Sequence, residues 1–132
     1  MRRCAISAAS RRHLGGTSGE SLQVDAVISR WDWGTPASSP LWGWDFGLVA
    51  LAMTRLRRAP SEVVRMLLMD VQKNHYLPSG HVVAGFIPCY LPGNGGLLAA
   101  IAMMAGGASG GNDPGWFPEE WSARAEGFRE YP

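Results

Sequence analysis

Three groups of residues have types and spacing that could do chemistry. The first is Trp42, Trp44 and Asp45 in the segment WGWDF. A carboxylate flanked by indoles can hold a polyol, the acid accepting from hydroxyls while a ring stacks on the apolar face. The same Asp45 could serve only as a helix cap, accepting from the first free backbone N–H groups beside core tryptophans. The second group is Lys73, Asn74, His75, Tyr76 and His81. His81 follows Gly80, whose backbone freedom can aim the ring into a cleft. His75 and His81 are not at a standard metal spacing and have no Cys or carboxylate companion, so neither a metal nor a cofactor is expected. The third group is Gly93-Asn94-Gly95-Gly96. It lacks the Lys-Ser/Thr ending of a phosphate loop and the spacing of a dinucleotide fingerprint. Close packing of loop on helix accounts for such glycines, with Asn94 placed as an N-cap. Among the late carboxylates, Glu119 and Glu120 read as a solvated pair. Glu126, between Ala125 and Gly127, stands beside Asp45 as a candidate catalytic carboxylate.

The elements that must position these residues are mostly helical. Residues 1–20 begin with an Arg- and Ser-rich stretch and read as a disordered or spurious leader; folded sequence is expected over 21–132. Val24, Val27, Ile28 and Trp31 follow helical spacing. Residues 32–40 read as a loop. From Trp42 to Arg57, Leu48, Val49, Ala52, Met53 and Leu56 share a face, and arginines close the segment where they suit the helix dipole. Pro60 suits the first position of the next helix, with Glu62 in its first turn. The short link between these two helices predicts an antiparallel helical hairpin. Residues 72–96 read as a long Gly/Pro connection with a strand at 81–86. A buried helix is predicted over Leu97 to Ala105, stopped by Gly106 and Gly107. A terminal strand is expected over Trp121 to Phe128.

Bulk composition narrows the classes. A chain of 132 residues fits one domain, and a net charge of +1 gives no global signal for nucleic acid. Charged residues make up only 17% against 46% hydrophobic, which leaves apolar surface waiting for a partner. Six tryptophans suit either a ligand platform or a Trp-rich core. Cys4 and Cys89 show no redox or metal pattern and are expected as free thiols. No apolar run approaches the ~20 residues of a membrane span.

Taken together, WGWDF, LLMDVQKNHYLPSGH, CYLPGNGGLLAAIAMM and WSARAEGF resemble the C-terminal end of a six-hairpin glycosidase, an (α/α)6 toroid of glycoside hydrolase type. A more distant likeness is to bacterial α-L-fucosidases of the same toroid class. Those enzymes carry an acid just before the Gly-Asn pair, a place held here by Pro92. The resemblance implies a mainly α fold, the helical hairpins of a partial toroid with a long Gly/Pro loop and a short β tail. It implies a carbohydrate substrate, with Trp42, Trp44, Asp45, His81 and Asn94 facing the cleft. It also implies a missing N-terminal part as partner, since a toroid has about twelve helices and glycoside hydrolysis needs two carboxyls about 5–9.5 Å apart. The chain alone is therefore expected to be inactive. Within the class, hydrolysis is favoured over phosphorolysis or epimerisation. Related toroids are often exported or periplasmic. The alternative is a small standalone helical module that binds a ligand or partner.

Overall fold

The computed structural model describes residues 18–34, 41–108 and 113–129. The described fold is mainly helical. The helices are α1 (Ser18–Arg30), α2 (Gly43–Arg55), α3 (Pro60–Leu67) and α4 (Leu91–Gly106), and β1 (His75–Tyr76) and β2 (Val82–Val83) form a small antiparallel hairpin ahead of α4. Leader residues 1–17 lie outside the described residues. Helix α1 already begins at Ser18, three residues before the expected boundary at 21.

The α2–α3 hairpin follows its sequence signals. Pro60 occupies the first turn of α3, where a missing N–H costs nothing, and Glu62 lies in that turn. Arg57 adopts φ 55° just past α2, and Arg57 and Arg58 donate N–H bonds back to Thr54 and Met53. That pattern is a Schellman ending with arginine in the place glycine usually takes. Arg58 then reaches across to the Ser21 hydroxyl and the Asp25 carboxylate, fastening α1 to the end of α2.

The core lies between α2, α3 and α4. Phe46, Val49, Ala50 and Met53 of α2 meet Val63, Met66 and Leu67 of α3 and Ala100 and Met104 of α4. Each fully buried large side chain contributes about 1.5–3 kcal/mol. Trp33 closes this core edge-on against Phe46, with its indole N–H donated to the Ile28 carbonyl. Trp116 likewise donates its indole N–H to the Arg58 carbonyl, and its backbone N–H to Met104. It thereby straps together the C-terminal ends of α2 and α4. The fully buried Asn74 bonds the Leu67 and Met69 carbonyls, closing the exit from α3.

Three expectations need correction. First, Gly93 to Gly96 is not a loop. Helix α4 begins at Leu91, so Asn94 lies inside its first turn and Tyr90 takes the N-cap place. Pro92 fits there because the first N–H groups of a helix have no intrahelical acceptor. The glycines are required by a neighbour: a Cβ on Gly47 would sit 2.6 Å from the Gly96 Cα. Second, Trp121 to Phe128 forms no strand. It runs as an exposed tail, and among the described residues no second strand lies beside it to accept its backbone hydrogen bonds. Third, the connection ahead of α4 contains β1 as well as the expected strand around Val82. Among the described residues, no helix is long and apolar enough to cross a membrane.

Candidate functional site

Helices α2 and α4 run side by side in the same direction. Their first turns meet through Gly43 and Gly93 and then through Gly47 and Gly96, while Trp116 joins their far ends. The glycines at 43 and 47 stand one turn apart on one face, so the two backbones approach without side chains between them. This parallel pairing gathers the loops before both helices at one end, and most of the sequence-derived candidates lie there.

Trp42 and Trp44 flank the start of α2, with ring centroids 5.8 Å apart and planes tilted by 32°. They are 48% and 43% exposed. Neither indole N–H makes an intramolecular hydrogen bond among the described residues, unlike those of Trp33 and Trp116. Lys73 lies 5.7 Å from the Trp42 ring centroid and donates to the Leu41 carbonyl at 2.6 Å. The segment before α2 is thus tied to the turn ahead of β1.

Asp45 stands at the third position of α2. Its Oδ2 accepts the Trp42 backbone N–H at 2.7 Å, so one oxygen is committed to capping. Its Oδ1 makes no hydrogen bond among the described residues. Beside it is a residue that motif reading passed over, Tyr90. Its ring is wedged against Gly43 and Gly93, and the Trp44 ring lies 6.2 Å away centroid to centroid. Tyr90 is only 7% exposed, and its hydroxyl has no hydrogen-bond partner among the described residues. Burial pushes the phenol above its usual ionisation range, and the negative charge of Asp45 pushes it the same way. The sequence signal for Tyr90 was faint: it lies within the CYLPGNGG stretch, but no spacing or partner there singles it out.

Asn94 is a brace. Its Oδ1 accepts the Val82 N–H at 3.0 Å, and its Nδ2 donates to the Gly80 carbonyl at 2.8 Å. With the Tyr90 N–H bonded to the Val82 carbonyl, it holds the β hairpin against the start of α4. Its amide therefore serves folding before ligand. His81 is exposed, with its Nδ1 3.1 Å from the Ser79 hydroxyl. It is placed by Gly80 at φ 84°, beside Asn94's anchor and on the solvent side of the hairpin.

Glu126 does not join this cluster. It is exposed, paired with Arg124, in the tail whose Phe128 and Arg129 pack on Gly106 at the far end of α4. Asp45 and Glu126 are thus at opposite ends of the α2–α4 pair and do not face each other as the two carboxyls of glycoside hydrolysis do. Two hollows lie away from Trp42 and Trp44. One of about 470 Å³ is bounded by Ala105, Phe117, Glu119 and Trp121; another of about 400 Å³ lies among Asp25, Trp33, Met53 and Arg58. The first holds a single carboxylate, Glu119, beside Phe117 and Trp121; the second holds Asp25 and Glu62 with Trp33, and Asp25 there is paired with Arg58. Among the described residues, no group of three His, Cys, Asp or Glu side chains could hold a metal ion.

Comparison with family models, with curated proteins and with solved structures finds no match to this chain.

Proposed function

We propose that this chain is the sugar-holding part of a glycosidase-like (α/α)6 toroid, contributing a carbohydrate subsite while the catalytic carboxylate pair comes from elsewhere in the assembled enzyme. The observation that carries the reading is the aromatic end of α2. Two adjacent, half-exposed tryptophans keep their N–H donors unspent beside a free carboxylate oxygen. An indole face suits the C–H face of a pyranose, and the N–H and carboxylate suit its hydroxyls.

The arrangement of helices supports the toroid half of the reading. A toroid alternates inner and outer helices, so that successive inner helices run parallel with an antiparallel outer helix between them in sequence. Helices α2, α3 and α4 follow that order. Helix α4 carries no charged residue, yet Leu91 and Leu98 are 64% and 68% exposed, and Leu48 of α2 is 57% exposed. A helix apolar on all sides is built to be covered on all sides. Neighbouring inner helices of the same toroid would cover these leucines.

The test uses the full 132-residue chain. Titration with cellotriose and with maltotriose should change tryptophan emission, and Trp42→Ala with Trp44→Ala should abolish the response. The chain should bind an apolar dye and should not hydrolyse aryl glycosides. Hydrolysis by the purified chain would sink the idea that the carboxylate pair lies elsewhere. A monodisperse, dye-free, cooperatively unfolding protein would favour a standalone binding module instead.

A further inference from the structure

We infer that the hollow of about 400 Å³ between α1, α2 and α3 is a binding site for a free α-amino acid with a large apolar side chain, such as phenylalanine, leucine or methionine. The ligand's side chain would enter the hollow, its carboxylate would meet Arg65 and its ammonium would meet Glu62. The site shares no residue with the sugar-binding reading above and stands independently of it.

The floor of the hollow is apolar and adaptable. Met53 and Met66 belong to the buried core, and Trp33 and Met69 pack on its edge. The Trp33 indole N–H is already donated to the Ile28 carbonyl, so Trp33 presents carbon to an occupant. Thioether side chains adjust to straight, branched or aromatic groups, which suits a floor that takes several side chains of one class. The volume is near the lower end of the roughly 300–1,000 Å³ usual for ligand sites, so the occupant is small.

The rim sets the head group. It carries two arginines and two carboxylates, and they differ in what they already do. Arg58 is ion-paired with Asp25 and donates to the Ser21 hydroxyl, while its backbone is fixed by Met53 and by the Trp116 indole. That pair builds the wall. Glu62 and Arg65 are exposed, and neither side chain has a hydrogen bond or an ion pair among the described residues. They stand three positions apart on α3 and so share a face of it, with Cβ atoms roughly 5–6 Å apart. An acceptor and a donor so placed, beside an apolar floor, match the ammonium and carboxylate that an α-amino acid carries on one carbon. Arginine can hold that carboxylate through two parallel N–H groups. Charge balance selects the zwitterion. A fatty acid would bring its carboxylate up to Glu62, and a simple amine would bring its ammonium up to Arg65. A peptide terminus carries only one of the two charges and answers only half of the pair.

Isothermal titration calorimetry on the full 132-residue chain tests the inference, with L-phenylalanine, L-leucine and L-methionine as probes and glycine as the control. At least one of the three should bind, and glycine should not. The N-acetyl form of the acid that binds lacks the ammonium, and its amide lacks the carboxylate; each should bind roughly ten-fold more weakly or worse. These blocked forms are titrated on the unaltered chain, so they test the head-group contacts apart from any effect of a substitution on folding. Arg65→Gln and Glu62→Gln should each weaken binding by a similar factor and leave the thermal midpoint unchanged, because both side chains are exposed. Arg65→Gln should not weaken the amide further, nor Glu62→Gln the N-acetyl form, since variant and blocked ligand remove the same contact. Failure of all three acids to bind would overturn the inference. So would an N-acetyl form that binds as well as the free acid, which would assign the hollow to a simple carboxylate. Binding that either variant leaves unchanged would also overturn the site. Sugar binding is a separate titration, so either reading can fail while the other stands.

Discussion

The two ends of the α2–α4 pair solve the same problem differently. At the end where both helices begin, backbone meets backbone: Gly43, Gly47, Gly93 and Gly96 leave no room for side chains, and Asn94 and Asp45 tie down the chain around them. At the end where both helices stop, contact is made by an inserted indole, Trp116, and by an exposed tail with few bonds of its own. The first end is rigid enough to hold polar atoms at fixed positions, which is what a binding site requires. The second can carry a carboxylate such as Glu126 but cannot aim it.

The sharpest way to break this comparison is to add one methyl group. A Cβ on Gly47 would lie 2.6 Å from the Gly96 Cα and 2.9 Å from its carbonyl carbon, both backbone atoms that cannot step aside. Gly47→Ala should therefore cost about 3 kcal/mol or more, at the upper end of overpacking. Gly95 is in the same helix as Gly96, yet nothing lies within 4 Å of its Cβ position. Gly95→Ala should stabilise by about 0.5–1 kcal/mol through helix propensity alone. Chemical denaturation of the two variants checks this. Equal effects would mean that the close approach does not govern the pair.

A smaller effect separates the two polar residues ahead of and within α4. Asn94→Ala removes the acceptor of the Val82 N–H and the donor to the Gly80 carbonyl, and should cost about 2 kcal/mol. His81→Ala removes an exposed ring bonded only to Ser79, and should change stability by less than about 0.5 kcal/mol. A stability loss for His81 equal to that for Asn94 would show that the hairpin leans on the imidazole.

These contrasts also explain what the sequence could reveal. Helices α2 and α3 were legible because their signals are local: apolar spacing, Pro60 at an N-terminus, arginines at a C-terminus. The stop at Gly106 and Gly107 was legible for the same reason, and Gly107 does adopt φ 81° there. The start of α4 was hidden. Gly93, Gly95 and Gly96 each cost a helix about 1 kcal/mol, so composition argues for a loop. A tertiary contact at Gly96 outweighs that preference, and no local pattern reports which distant glycine it meets. The strands β1 and β2 are two residues each, too short to show a period. In the site, the capping role of Asp45 followed from its place at a helix entry. Tyr90 could not be found, because its interest comes entirely from Gly43, Trp44 and Asp45, all more than forty positions away.

Tyr90 gives the comparison a pH signature. Burial and Asp45 raise its ionisation range in the folded chain, while the unfolded phenol ionises near its ordinary value of 10.0. Between those limits the folded state holds a proton that the unfolded state has lost. Stability therefore falls as pH rises past about 10, by at most about 1.4 kcal/mol per pH unit for this group, and is unaffected by it at lower pH. The slope above pH 10 should be shallower in Tyr90→Phe. Denaturation midpoints across that range would decide the point, and identical slopes would mean that the phenol is more open to solvent than its contacts imply. Tyr76 is also raised by burial and titrates in the same direction, so it stays as background in both proteins.

The smallest effects bear on the two candidate carboxylates. Asp45→Ala removes the acceptor of the Trp42 N–H at the entry to α2 and should cost about 1 kcal/mol. Asp45→Asn keeps an acceptor oxygen at the same place and should cost only a few tenths of a kcal/mol. Glu126→Ala removes a partner of Arg124 where both side chains are open to solvent, and stability should not change measurably. The order Asp45→Ala, then Asp45→Asn, then Glu126→Ala follows from position alone: a carboxylate at a helix entry has backbone donors to answer, and one on an exposed tail does not. If Glu126→Ala proved as costly as Asp45→Ala, the tail would have to be docked more firmly than its contacts at Gly106 indicate, and the distinction between a rigid and a loose end would collapse.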